Sequence, residues 1–240
     1  MDSSIFYFKQ FSVKQEKSGL KIGTDAVILG ALSEVNPEVE LILDVGTGTG
    51  VIALMMAQKK NFTTSIIGIE INKSAAQEST SNFLNSKWNH YLTCLNISFQ
   101  EFSKHYYKNI DLIISNPPYF NNSLKSKSAE KSTAKHTDEL NFYELIENSS
   151  KLLTPEGELH VIVPANEYNH FCSIANKNRL FAKKVFWIKS TELSKIKRAV
   201  IFFSFVDSIT TESTIVLRNL EDKNYTDQYK ILTKDYYLNL

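Results

Sequence analysis

Leu41-Ile42-Leu43-Asp44-Val45-Gly46-Thr47-Gly48-Thr49-Gly50 decides how the chain is read. Its first five residues are apolar on both alternating faces, Asp44 excepted. Strands of that kind lie in parallel sheets covered by helices on two sides. The glycines end the strand and let backbone approach a ligand where any side chain would block it. Residues 51–60 then read as a helix, so the stretch is strand, glycine turn, helix.

The same alternation continues outward. Ser65-Ile66-Ile67-Gly68-Ile69-Glu70 is a second strand and residues 74–86 a second helix. Residues 91–95 are a third strand. Asp111-Leu112-Ile113-Ile114-Ser115 is a fourth, stopped by Pro117 and Pro118. A helix over 141–152 and strands over 158–163, 186–188 and 200–206 complete the pattern. The reading is an α/β, doubly wound, Rossmann-like fold, with a mostly parallel seven-stranded sheet and helices on both faces. The 240 residues suit one domain, with an N-terminal extension over 1–37 and a C-terminal tail over 207–240.

Bulk properties exclude little. The net charge of +1 does not mark a nucleic-acid binder, so any such role must rest on local basic patches. Cys94 and Cys172 form no C-x-x-C pair and read as buried free thiols. The five histidines lack ligand-like spacing, so no metal is expected. No signal peptide is visible at the N-terminus, and the longest apolar runs, such as 199–205, are too short to span a membrane. A cytoplasmic protein is expected, with a monomer as the default state.

The glycine spacing separates cofactors. A nicotinamide fingerprint needs G-x-G-x-x-G, which from Gly46 would put its third glycine at Val51. The chain has G-x-G-x-G instead. Glu70, at the end of the second strand, can accept both hydroxyls of a ribose. The alternative is a tight turn with no ligand. The loop resembles the first motif of class I methyltransferases, and Asp44 matches that family's motif acid. The resemblance implies S-adenosylmethionine as cofactor, held by Asp44, Gly46, Thr47, Gly48, Gly50, Glu70, Ile71 and, after the fourth strand, Asn116. That family often carries an acid after the third strand for the adenine amine. Here the neighbourhood is Leu95-Asn96-Ile97, and Asn96 can still accept through its carbonyl.

Asn116-Pro117-Pro118-Tyr119 follows the fourth strand. Asn116 precedes proline and is pushed towards extended backbone. The prolines fix the turn and donate nothing. The Asn116 side-chain oxygen and the Pro117 carbonyl can then accept from one NH2 group and draw its nitrogen towards tetrahedral geometry. Tyr119 offers a ring for a flat substrate to stack on. The tetrapeptide resembles the N/D-P-P-Y/F/W motif of amino-group methyltransferases, which implies catalytic roles for Asn116, Pro117, Pro118 and Tyr119. In a doubly wound sheet the first and fourth strands flank the switch point where ligands bind, so the two motifs should face each other.

The flanks narrow the reading. Phe6-Tyr7-Phe8-Lys9-Gln10-Phe11, Lys21-Ile22-Gly23-Thr24-Asp25 and the tyrosine-rich end, with Tyr225, Tyr229, Tyr236 and Tyr237, complete a likeness across nearly the whole chain. It resembles the bacterial methyltransferases of the adenine N6 at position 37 of a valine tRNA. The resemblance implies tRNA as partner and places Thr24 and Asp25 near the methionine end of the cofactor. As a local reading, either residue caps the helix running to Leu32. Lys125, Lys127, Lys131 and Lys135, in a Ser/Lys-rich loop, and Lys195, Lys197 and Arg198 are candidate phosphate contacts, or else solvated loops. Competing readings are methylation of a glutamine side-chain amide in a protein, methylation of a guanine amino group in ribosomal RNA, and an idle cofactor-binding module that only holds RNA. Only about forty residues precede Asp44, which disfavours the first because those enzymes carry a helical domain there.

Overall fold

A computed structural model describes residues 4–18, 21–60, 63–106, 109–118 and 141–239. The chain opens with an antiparallel pair, β1 (Ile5–Tyr7) and β2 (Ser12–Lys14), followed by α1 (Thr24–Leu32). Strand and helix then alternate through β3 (Leu41–Val45), α2 (Val51–Lys59), β4 (Ser65–Ile69), α3 (Lys73–Leu84), β5 (Leu92–Leu95), α4 (Phe99–His105) and β6 (Ile110–Ser115). Beyond residue 140 come α5 (Phe142–Leu152), β7 (Leu153–Pro164), α6 (Tyr168–Lys177), β8 (Phe181–Lys189), β9 (Ile196–Ser204), β10 (Thr211–Val216) and α7 (Asp227–Thr233).

Helix starts follow side-chain chemistry. Asn72 accepts from the Ser74 and Ala75 amides at 3.0 Å each, and Ser98 accepts from the Glu101 amide at 3.1 Å. Asn141 and Glu144 form a reciprocal capping box at the start of α5. At α1 the cap is Gly23, in extended backbone and with no side-chain hydrogen bond. The expectation of a Thr24 or Asp25 cap is therefore corrected. Both residues already lie inside the first turn, past the position whose side chain can reach back to the free amides.

The main sheet has the order β10-β8-β9-β7-β6-β3-β4-β5. All its pairings are parallel except those of β9, which runs against both β7 and β8. The chain steps outward from β3 to β4 and β5, then returns to β6 on the other side of β3. The switch point thus lies between β3 and β6. Among the described residues the sheet has eight strands, not the seven expected. Residues 211–216 pair with β8 at the edge, inside the stretch read as a tail. Four of the six are exposed, and an edge strand wetted in this way lacks the apolar run that marks a buried one.

Each face of the sheet has its own core. On one side Ile28 and Leu29 of α1, Leu54 and Met55 of α2 and Phe83 of α3 pack with Phe8, Tyr229 and Tyr236 from the two ends of the chain. On the other, Phe102 of α4, Leu145 and Ile146 of α5 and Phe171 of α6 cover Leu43, Ile113 and Ile201. The two ends meet directly: the Lys9 amide donates to the Tyr236 carbonyl at 2.8 Å, and the Phe8 and Tyr237 rings stack with centroids 6.1 Å apart. Cys94 and Cys172 are free but half-buried, not fully buried as the sequence suggested.

Candidate active site

Val45 and Ser115, the last residues of β3 and β6, are partners in register. The buried Ser115 hydroxyl donates to the Val45 carbonyl at 2.9 Å. The glycine loop and Asn116 therefore leave the sheet side by side. The loop is folded back onto β4, with the Gly46 and Thr47 amides both donating to the Ile69 carbonyl at 3.0 Å. Its three glycines all have positive φ: 71° at Gly46, 54° at Gly48 and 82° at Gly50. Gly50 is doubly constrained, since a Cβ there would fall 2.5 Å from a Phe83 ring carbon and 2.7 Å from the Ser79 hydroxyl.

Asp44 stands behind this loop and is not exposed to the cavity in front of it. Its Oδ2 accepts from the Thr47 hydroxyl at 2.6 Å and from the Ala53 amide at 3.2 Å, which ties strand, loop and α2 together. Complete burial pushes its carboxyl up to about 7; those two hydrogen bonds oppose the shift and the Glu70 charge adds to it. Between pH 4 and 7 the folded protein thus keeps a proton that the unfolded chain has released, so stability from this group is full below about pH 4 and falls as pH rises to about 7. Asp44→Asn should remove that slope. In denaturant titrations across the range, the wild-type advantage over the variant should shrink by about 4 kcal/mol from pH 4 to 7. Parallel curves for the two proteins would contradict it.

The cavity between the two motifs has a volume of about 480 Å³. Of the residues expected at a cofactor or at the reaction, Gly46, Gly48, Glu70, Ile71, Asn116, Pro117 and Pro118 line it. Glu70 binds the loop while facing the cavity. Its Oε2 accepts from the Gly48 amide at 3.0 Å and its Oε1 from the Asn72 amide at 2.8 Å. Each oxygen keeps a further lone pair for a ligand hydroxyl.

Other expected residues lie elsewhere. Thr47 is a buried residue of the loop and Gly50 is the N-cap of α2. Asn96 is not part of the cavity lining; its amide nitrogen donates to the Glu70 and Ile71 carbonyls at 2.8 and 3.0 Å and braces that turn from behind. Thr24 and Asp25 also stand outside the lining, at the start of α1. Asp25 accepts from Arg198 Nε at 2.8 Å, so the guanidinium shares its charge with a carboxylate. Lys195 and Lys197 are exposed and have no ion-pair partner among the described residues. Tyr119, Lys125, Lys127, Lys131 and Lys135 fall outside the described residues.

Sequence reasoning missed part of the wall. Ser18, Ser115 and the segment Ile97-Ser98-Phe99-Gln100 all line the cavity. Gln100 is held by α5, its Nε2 donating to Glu144 at 2.9 Å. The position of 97–100, just past β5 at the ligand edge of the sheet, was the available signal. Ser18 gave none. Among the described residues no group of three or more His, Cys, Asp or Glu is placed to hold a metal, and no helix is long and apolar enough to cross a membrane.

Solved structures share this architecture. A protein from Agrobacterium tumefaciens described as a predicted O-methyltransferase superposes with a TM-score of 0.68, over 90% of this chain and 100% of that one, at 14% identity. TYW2 from Pyrococcus horikoshii, solved in complex with MeSAdo, does so with a TM-score of 0.58, over 83% and 69%, also at 14%. The family model described as Methyltransferase small domain matches residues 17–183. Fold and site thus define a methyltransferase of the doubly wound class. The tRNA1(Val) (adenine(37)-N6)-methyltransferase of Flavobacterium psychrophilum is 38% identical over 236 residues, covering 98% of this chain and 100% of the relative. The protein of the same name from Christiangramia forsetii is 38% identical over 242 residues, covering both chains fully. The chain belongs to this family of methyltransferases.

Proposed function

We propose that this chain uses S-adenosylmethionine to methylate N6 of an adenine in tRNA, adenine 37 of a valine tRNA. The observation that carries the reading is the Ser115–Val45 hydrogen bond, which sets Asn116 beside the glycine loop in one cavity. The full-length likeness to relatives named for this reaction supports the choice of substrate. The cavity suits the cofactor: the Glu70 carboxylate has room for ribose hydroxyls, and the glycine backbone leaves space for close approach. Bound there, S-adenosylmethionine supplies an electrophilic methyl group.

The chain's own residues prepare the nucleophile. Asn116 and the Pro117 carbonyl accept from the exocyclic amine and turn its lone pair towards the methyl group. No strong base is required, because the nitrogen becomes acidic only as it gains the methyl. Tyr119, read from the sequence, stacks on the adenine. The base must leave its stack to reach Asn116, and an anticodon loop presents bases that are already partly unstacked. The test is transfer of labelled methyl to three acceptors side by side: unmodified tRNA, ribosomal RNA and release-factor-type protein. Label should appear in tRNA alone; label in either other acceptor, or in none, contradicts the reading.

The turn between β8 and β9, residues 190–195, offers a tRNA contact. β9 lies beside β7 with Arg198 opposite Pro164, so this turn stands at the same sheet edge as Asn116, two strand spacings or about 10 Å to the side. On this reading Lys195, in the turn, and Lys197, at the start of β9, meet phosphates flanking the target base. Replacing both with Gln should flatten the salt dependence of tRNA binding by about one unit for each phosphate no longer neutralised, with cofactor affinity unchanged. An unaltered slope would leave the two lysines merely solvated.

A further inference from the structure

The face of α3 turned towards the N-terminal segment is buried yet polar. Glu78 is 5% exposed and accepts four hydrogen bonds. Its Oε2 takes the Glu16 and Lys17 amides at 2.6 and 2.7 Å, and its Oε1 takes the Ser18 amide at 3.0 Å and the Ser18 hydroxyl at 2.6 Å. One turn further, Asn82 bonds both ways with the Lys14 backbone, its Oδ1 accepting at 2.9 Å and its Nδ2 donating at 3.0 Å. The same Nδ2 donates to the Thr49 carbonyl in the glycine loop at 2.8 Å. Residues 14–18 are thereby strapped to α3, and Ser18, the last of them, forms part of the cavity wall with Gly48, Glu70 and Ala75.

We infer that Glu78 is a positioning residue for the cofactor: by holding residues 16–18 it sets Ser18 as a preformed part of the wall of the cofactor cavity, and Asn82 couples that segment to the glycine loop. The inference rests on the cofactor reading above. The segment is preorganised. A buried carboxylate must have its oxygens satisfied, and these are satisfied by consecutive donors of one short segment. Burial alone would raise the Glu78 pKa, yet the four bonds outweigh it and hold the group below the ordinary carboxylate range. Backbone already ordered before the ligand arrives need not be ordered on binding, which preserves affinity. No sequence rule flags such a residue, because a glutamate on a helix is ordinarily solvated.

The test uses the full-length protein and S-adenosylmethionine itself. Glu78→Gln keeps the size of the side chain but replaces one acceptor oxygen with a donor, so one pair of bonds is removed. Its Kd and KM for S-adenosylmethionine should rise about tenfold, with faster cofactor dissociation, as expected for losing charge-assisted hydrogen bonds. The rate at saturating cofactor, and tRNA affinity without cofactor, should stay within about twofold. Ser18→Ala removes one of the four bonds and should raise Kd by about threefold, and it carries the test if Glu78→Gln does not fold. Wild-type cofactor affinity and dissociation in either folded variant would overturn the inference, as would equal losses in KM and in saturated rate. Failure of the wild type to bind S-adenosylmethionine would instead remove the cofactor reading, and this wall's role with it.

Discussion

Asn116→Ala is expected to lower the single-turnover rate of methyl transfer by about 10²–10³, the usual loss for one preorganised group that acts in the transition state. The Asn116 oxygen is complementary to a nitrogen that becomes cationic only as the methyl arrives. Binding of S-adenosylmethionine and of tRNA should therefore change little. The structure supports that separation. Asn116 lines the cavity next to the glycine loop, while the bonds that hold the loop in place involve Asp44, Glu70, Asn82 and the Ile69 carbonyl. Removing the Asn116 side chain leaves each of them intact. Single-turnover kinetics at saturating cofactor with varied tRNA make the measurement. A near-wild-type rate would reduce the tetrapeptide to a turn.

Glu70→Ala should act in the opposite way, on binding. Two charge-assisted hydrogen bonds to the ribose are at stake, each worth roughly 1.5–3 kcal/mol. The variant also releases the Gly48 and Asn72 amides, so the loop loses an anchor at the same time. Cofactor affinity should fall by at least about a hundredfold, since about 1.4 kcal/mol is a factor of ten. Glu70→Gln retains one acceptor and should fall between wild type and Glu70→Ala. Calorimetry giving unchanged affinity for Glu70→Ala would refute the assignment.

Most of the central fold could be read from the sequence because β3, β4 and β6 are largely buried and show it as apolar runs broken only by single residues such as Asp44 and Asp111. The reversed direction of β9 could not, since a strand covered on both sides reads the same in either direction. β10 escaped because it is a polar edge. The site divides along the same line. Asn116 and the glycine loop announce themselves through residue types with few other uses. Asn96 was read at the correct strand end, yet its amide turns to the Glu70–Ile71 backbone, a choice that depends on a turn whose shape the sequence does not display. The strap built on Glu78 and Asn82 depends on bonds between residues 60 to 68 positions apart, with no local signature.

The central claim is the identity of the methylated base. Unmodified valine tRNA, incubated with the protein and S-adenosylmethionine, can be cut to oligonucleotides and nucleosides and read by mass spectrometry. The account predicts a single added methyl, in the anticodon-loop fragment that holds adenine 37, recovered as N6-methyladenosine. A methyl recovered on guanosine, on another adenosine, or on no nucleoside at all would contradict it.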